Sequence, residues 1–184
     1  MRRLIATGHL GGVPVYVHWT VLAACLLVLV GAVSSLNRVA AATMALLGYF
    51  SAVLLHEWGH VVLARKRRCQ VYAIALYPLV GITRLEHPRT RLDHCLIAWG
   101  GILFQGAVGL PMLAWIAFVG YTRIEAVNAF MAMVGYLTLV MLPLNLAAVP
   151  PLDGAVAWGI VPILLRRARE NVAGRKPKRW DSAR

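Results

Sequence analysis

The chain of 184 residues is 60% hydrophobic and only 14% charged, and its formal net charge is +12. A soluble domain has about a quarter of its residues charged, so the composition excludes an ordinary soluble protein. Four stretches contain no Lys, Arg, Asp or Glu, and they lie between positions 3 and 38, 38 and 57, 93 and 123, and 125 and 153. Each can hold the roughly 17–25 residues of a spanning helix. The composition therefore predicts an integral membrane protein.

The cations lie beside the apolar stretches, which favours a role in membrane topology over nucleic-acid binding. They cluster at residues 2–3, at 65–68 and in the tail 166–184, where eight residues are Lys or Arg. The positive-inside rule predicts four spans with both termini in the cytoplasm. We expect a bacterial or archaeal cytoplasmic membrane, with anionic lipids contacting the basic tail and no nucleic acid as a partner.

The first predicted element is an extended segment, because side chains alternate in character over residues 10–18. A first helix follows over roughly Trp19 to Ser35, and a second over about Ala40 to Arg65. Residues Gln70 to His87 are rich in β-branched and aromatic side chains and are punctuated by a proline and a glycine. That composition favours a β-hairpin at the cytoplasmic membrane face. A third helix is predicted over about Asp93 to Val119.

The fourth apolar segment is interrupted by three prolines, Pro143, Pro150 and Pro151. Because proline cannot continue a regular helix, we predict a helix from near Glu125, a break within Asn145–Asp153, and a second helix to Arg166. Such a break at membrane depth must be buried in protein or line a wet cavity. The predicted fold is an all-α integral membrane protein with about four transmembrane helices and a small β-hairpin. The core covers residues 1–165, and a basic cytoplasmic tail covers 166–184.

The second predicted helix contains the sequence HEWGH, from His56 to His60. Histidines four residues apart lie on one helical face and can bind one tetrahedral ion, while the adjacent Glu57 can reach a metal-bound water. HExxH is a zinc signature in which the glutamate is the general base. Polar groups inside a span are costly, so a function is the default explanation. The alternative is a hydrogen-bonded His–Glu cluster that only packs helices.

A catalytic zinc site needs a third protein ligand. Leu63 and Lys66 occupy the positions that hold glycine and histidine in the longer motif HExxHxxGxxH, so this ligand lies elsewhere. Asp153 is favoured, because it alone shares the bilayer interior with the two histidines; its alternative role is to cap the helix beginning at Gly154. The other candidates lie in loops or at span ends, and they are Glu86, His87, Asp93, His94 and Glu125.

Two motifs together resemble those of the site-2 protease family of intramembrane zinc metalloproteases. They are HEWGH and, about ninety residues later, NLAAVPPLDG from Asn145 to Gly154. The segments GVPVYVHWT, IALYPLVGITRL and AWGGILFQG also match the layout of that family, so the resemblance covers nearly the whole chain to about Trp158. It implies a minimal enzyme without a PDZ or nucleotide-sensing domain.

The resemblance implies that His56, His60 and Asp153 bind one Zn²⁺ per chain, that Glu57 is the catalytic base, and that Asn145 holds the substrate near the metal. The chain departs from the family pattern at a few positions, where it has Ala148, Ala155, Ile102 and Gln105. These departures affect substrate positioning and leave Gln105 without an assigned role. His9 and His18 are interpreted as interfacial or structural.

We therefore expect cleavage of peptide bonds within or next to transmembrane segments of regulatory membrane proteins. An unwound substrate segment can pair with an exposed edge of the hairpin over residues 70–87. Two alternatives stay open, a zinc hydrolase of another membrane substrate and a non-catalytic membrane zinc-binding scaffold. A metal transporter would carry ligands on several spans along a path, whereas the ligands here concentrate at one depth.

Overall fold

The computed structural model describes residues 4–78 and 80–172. In chain order the elements are β1 (Leu4–Leu10), β2 (Val13–His18), α1 (Trp19–Ala32), α2 (Leu36–Lys66), β3 (Val71–Leu76), β4 (Gly81–Leu85), α3 (Arg91–Phe118), α4 (Glu125–Leu146), α5 (Gly154–Ala157) and α6 (Ile160–Val172).

Three helices, α2, α3 and α4, are long and apolar enough to cross a membrane. The mostly helical, multi-pass character predicted from composition is thus confirmed. The helix α1 is also apolar but ends at Ala32, earlier than the predicted Ser35. Its 14 residues extend about 21 Å, which is less than the hydrocarbon thickness of about 30 Å. The predicted set of four spans is therefore three full-length helices and a shorter one.

The helices α2 and α3 meet backbone to backbone. A Cβ atom built on Gly59 of α2 would overlap the carbonyl oxygen of Gly100, and a Cβ on Gly100 would overlap that of Gly59. Small residues permit this approach, which is typical of helix pairs in membranes. The contact lies one residue from His60, so it brings the metal-ligand face of α2 against α3.

The strands form one sheet in the order β1-β2-β3-β4. The predicted hairpin is confirmed as the antiparallel pair β3–β4, and the predicted extended segment is β2. The strand β1 was not predicted, nor was the parallel pairing of β2 with β3, which joins segments separated by α1 and α2. The strand β1 is mostly exposed, and its pairing shifts register between Ala6 and Gly8, so it lacks a clear alternating pattern.

The sheet packs against the part of α2 that contains the two histidines. Its core is apolar and joins Val13, Val15, Val17, Ile74 and Leu76 of the sheet to Val21, Val53 and Val61 of the helices. At the far end of α2, the Arg65 guanidinium donates a hydrogen bond to the Gly11 carbonyl at 2.7 Å and lies over the Trp58 ring. These contacts hold the sheet beside the C-terminal half of α2, which contains both histidines.

The fourth apolar segment is broken, as predicted, but the break begins later. Pro143 lies inside α4, and the helix continues to Leu146 before an irregular stretch leads to Asp153. A further break after Ala157 separates α5 from α6, so the predicted single helix to Arg166 is wrong. The helix α6 runs past position 166 to Val172, and the tail from 173 onward lies outside the described residues.

Candidate metal centre

Three side-chain atoms converge between α2 and the start of α5. The Nε2 atoms of His56 and His60 are 3.2 Å apart, and the Oδ2 atom of Asp153 lies 2.9 Å from the first and 3.3 Å from the second. Both histidines are buried. In the part of the chain that the structure describes, this is the one cluster of three such ligands that could hold a metal ion.

This triangle fits one face of a tetrahedral zinc site. Ligands about 2.0–2.1 Å from zinc in a tetrahedron lie roughly 3.3–3.4 Å from one another, and the three edges here are 2.9–3.3 Å. Two imidazoles and one carboxylate also form a ligand set typical of catalytic zinc, which leaves a fourth position open. The residues present therefore fit the ion that the motif predicts.

The outer nitrogens of both imidazoles are already engaged. His60 Nδ1 lies 2.8 Å from the Ile97 carbonyl oxygen, and His56 Nδ1 lies 3.1 Å from Oε1 of Gln105. A carbonyl can only accept, so Nδ1 of His60 carries the hydrogen and its Nε2 lone pair faces the cluster. The amide oxygen of Gln105 likewise accepts from Nδ1 of His56, so the Nε2 lone pair of His56 also faces the cluster. Lone pairs of three acceptors then converge, an arrangement that a cation between them stabilises.

Asp153 is directed to this cluster by the broken segment. Its side chain makes no capping hydrogen bond to α5, and Oδ2 is buried with no hydrogen-bond partner in the described structure apart from the two histidines. The alternative of a simple helix cap is therefore wrong. The segment is held by Trp158, whose indole N–H donates to the Leu146 carbonyl, and by Trp99, whose indole N–H donates to the Ala157 carbonyl. Both bonds satisfy backbone oxygens beside the break.

Glu57 belongs to α2 and is 4% exposed, and its side chain lies between α2 and β4. Its Oε2 accepts a hydrogen bond from the Thr83 hydroxyl at 2.6 Å. A Cβ atom on Gly81 would lie 2.5 Å from Oε1 and Cγ of the same side chain. The glutamate next to the first ligand is therefore held against an outer strand of the sheet, which the sequence analysis did not predict.

Gly101 of α3 lies directly against the ligand atoms. A Cβ atom there would be 2.6 Å from His60 Nε2 and 2.7 Å from His56 Nε2. These distances are too short for any real carbon, so a side chain would displace the imidazoles or occupy the place of the ion. The absence of a side chain at this position leaves the open face of the cluster free.

The other candidate ligands lie elsewhere. Glu86 accepts a hydrogen bond from the backbone of Gln70, and Asp93 accepts one from Thr90, the N-cap of α3. The rings of His87 and His94 meet edge to face, with their centroids 6.0 Å apart. Asn145 is near the end of α4 and partly buried. His18 caps α1, its Nδ1 accepting from the Thr20 backbone, and it stacks on Tyr77, which matches a structural role.

Gln105, which was left without a role, is fully buried and orients His56. The sequence signal for this role is a polar amide within the charge-free stretch between positions 93 and 123, because a polar group inside a span is retained when it has a partner. We expect Gln105→Leu to weaken zinc binding about 10- to 100-fold, the usual effect of losing a hydrogen bond behind a metal ligand. Competition with a chromogenic chelator measures this affinity.

The matched control is Thr138→Val. Thr138 is likewise fully buried, but it packs on Gly109, one turn further along α3. Its variant should bind zinc as tightly as the unmodified protein. Equal losses in both variants would mean that general packing of α3, and not orientation of His56, controls the affinity.

Fold and site together define a multi-pass membrane protein with a candidate metal centre inside its helices. Among solved structures, the chain is similar to the Site-2 Protease from Methanocaldococcus jannaschii, with a TM-score of 0.57 over 91% of this chain and 72% of that one. The two sequences are 22% identical, so the similarity is one of fold. No protein-family model matches the chain, and a comparison with curated proteins finds no match.

Proposed function

We propose that the protein is an intramembrane zinc metalloprotease that cleaves peptide bonds within or next to transmembrane segments. The observation that carries this proposal is the triangle of His56, His60 and Asp153 with edges of 2.9–3.3 Å, beside the buried carboxylate of Glu57. The similarity of fold to a site-2 protease supports it further. One zinc ion per chain, held by these three side chains, is the proposed cofactor.

The ion, when bound, acts as a Lewis acid that polarises the scissile carbonyl and lowers the pKa of water. The chain's own residues supply the rest of the chemistry. Glu57 takes the proton from the attacking water and passes it to the leaving amine as the peptide bond breaks. Asn145, near the end of α4, is proposed to hydrogen-bond the substrate backbone or the developing oxyanion.

The proposed substrate is a transmembrane protein, and by resemblance a regulatory one. A helical substrate hides its amides in its own hydrogen bonds and must unwind before hydrolysis. The strand β4 is at one end of the strand order and contacts Glu57 directly, so it is suitably placed to pair with the freed segment. Pairing there would deliver an extended backbone beside the base.

We also propose a bacterial or archaeal cytoplasmic membrane, with the site near the cytoplasmic face and both termini on that side. In support, α2 ends with Arg65 and Lys66 in its last turn, a few residues beyond His60. The helix α6 exposes Leu164 and Leu165 beside Arg167 and Arg169. A basic amphipathic helix of this kind suits the surface of a bilayer that contains anionic lipids.

The test is co-expression with a library of tagged single-pass membrane proteins, comparing the unmodified protein with Glu57→Gln. The variant preserves the size of the side chain and removes its ability to accept a proton. We expect cleavage fragments only with the unmodified protein, while the zinc content of both purified proteins is the same. Equal cleavage patterns would contradict the assignment of the protease to this site.

A protein that binds zinc and cleaves no member of the library would match one of the alternative functions. Retention of uncleaved single-pass proteins in pull-down experiments would then indicate a scaffold. Hydrolysis of a lipid or of another amide, again lost in Glu57→Gln, would indicate a different zinc hydrolase. The zinc measurement separates both outcomes from a site that binds no metal.

A further inference from the structure

The inner face of β4 rests on the proposed base. Burial alternates along this strand, so that Gly81, Thr83 and Leu85 face inward while Ile82 and Arg84 are exposed. Thr83 donates a hydrogen bond to Oε2 of Glu57, and a Cβ atom at Gly81 would lie 2.5 Å from Oε1. One strand therefore holds one carboxylate oxygen and, by lacking a side chain at Gly81, leaves room for the other.

The hydroxyl of Thr83 has one proton to donate. Its oxygen lies 2.6 Å from Glu57 Oε2 and 3.4 Å from the Glu57 backbone oxygen, so the carboxylate receives the better bond. A separation of 2.5–2.7 Å is the usual length of a hydrogen bond from a hydroxyl to a charged oxygen. Because Glu57 is only 4% exposed, little water could replace this hydrogen bond if the Thr83 hydroxyl were removed.

The same strand lies at the edge of the sheet. Its inner face contacts α2 and one edge pairs with β3, whereas the other edge has no strand partner in the described part of the fold. We infer that Thr83 is a positioning residue which ties Glu57 to this edge strand, so that the strand open to substrate pairing also sets the orientation of the base. This inference rests on the proposed function.

The kinetic test uses the full chain and a tagged single-pass protein that the unmodified enzyme cleaves. We expect Thr83→Val to lower kcat about 10- to 100-fold, the size of a lost hydrogen bond to a charged group, with KM and zinc content changed less than about 2-fold. Thr83→Ser retains the hydroxyl and should restore most of kcat. Thr7→Val, which removes a threonine hydroxyl from β1 at the opposite end of the strand order, is the matched control and should retain full activity.

A second measurement needs no substrate. In chelator-treated protein, we expect Thr83→Val to lower the midpoint of thermal unfolding by about 3–10 °C. In a Glu57→Met background, which lacks the acceptor, the same change should shift the midpoint by less than about 2 °C. If the proposed function fails because nothing is cleaved, this comparison still tests the contact. If Thr83→Val does not fold, Thr83→Ala takes its place in both measurements.

Three results would overturn the inference. One is an unchanged kcat in Thr83→Val, and another is a Thr83→Ser variant as impaired as Thr83→Val. The third is an equal shift of the unfolding midpoint with and without Glu57, which would mean that Thr83 only packs the strand.

Discussion

Replacing Asp153 with alanine is expected to remove most of the bound zinc from the purified protein. Asp153 Oδ2 is the one carboxylate oxygen placed against both histidine nitrogens in the described structure, at 2.9 and 3.3 Å. Its loss leaves two imidazoles, and we expect the affinity for zinc to fall by more than about 100-fold, beyond the effect of losing an outer hydrogen bond. Elemental analysis after gel filtration measures the stoichiometry, and cleavage should be lost in parallel.

Asp93→Ala is the matched control for this prediction. Asp93 is also an aspartate at the start of a helix, but it pairs with Thr90 and lies 3.6 Å from Arg67, away from the cluster. Its variant should retain one zinc ion per chain. Unchanged zinc in Asp153→Ala would remove Asp153 from the ligand set and with it the geometric basis of the proposed function.

The second large effect is expected from Gly101→Ala, which adds a single carbon. That carbon would lie 2.6–2.7 Å from the Nε2 atoms of both histidines. Because it is attached directly to the backbone of α3, it cannot move away from them by rotation. We expect zinc binding and cleavage to fall by more than about 100-fold, because the methyl group displaces the ligands or blocks the open coordination position. Titration with zinc in a competing chelator measures the first effect.

Gly106→Ala serves as its control on the same helix. A Cβ atom at Gly106 would meet Leu142 at 3.5 Å, which is an ordinary van der Waals contact. Alanine is also the better helix former, so this variant should fold at least as well as the unmodified protein. Normal zinc binding by Gly101→Ala would show that the histidines stand further from α3 than the structure places them.

The ligand residues of the candidate site were predictable because their chemistry conflicts with their surroundings. His56 and His60 are spaced for one helical face, Glu57 adjoins the first of them, and Asp153 is the one acid in a long apolar segment. The groups that hold them were not predictable in the same way. Thr83 is an ordinary strand residue, and the Ile97 carbonyl has no side-chain signal at all. Their roles depend on which elements pack together.

The elements of the fold likewise divide into those that the local sequence predicts and those that depend on distant pairing. Long charge-free runs located α2, α3 and α4, since crossing a bilayer imposes length and hydropathy on each helix alone. The sheet depends on a parallel pairing between β2 and β3, which are separated by two helices, and no local pattern specifies such a partner. Pro143 lies in the last turn of α4, where it removes the one bond that its N–H would donate to the carbonyl of Leu139, and the helix ends three residues later at Leu146.

The position of Asp153 has a consequence for how the proposed metal site is assembled during synthesis. Both histidines belong to α2, whereas the aspartate follows about ninety residues later, after α3 and α4. A nascent chain that has inserted only its first helices would carry two of the three proposed ligands. Under the proposed function, hydrolysis would then arise only when the last apolar segment folds back on α2, and a truncated or half-inserted chain would lack it.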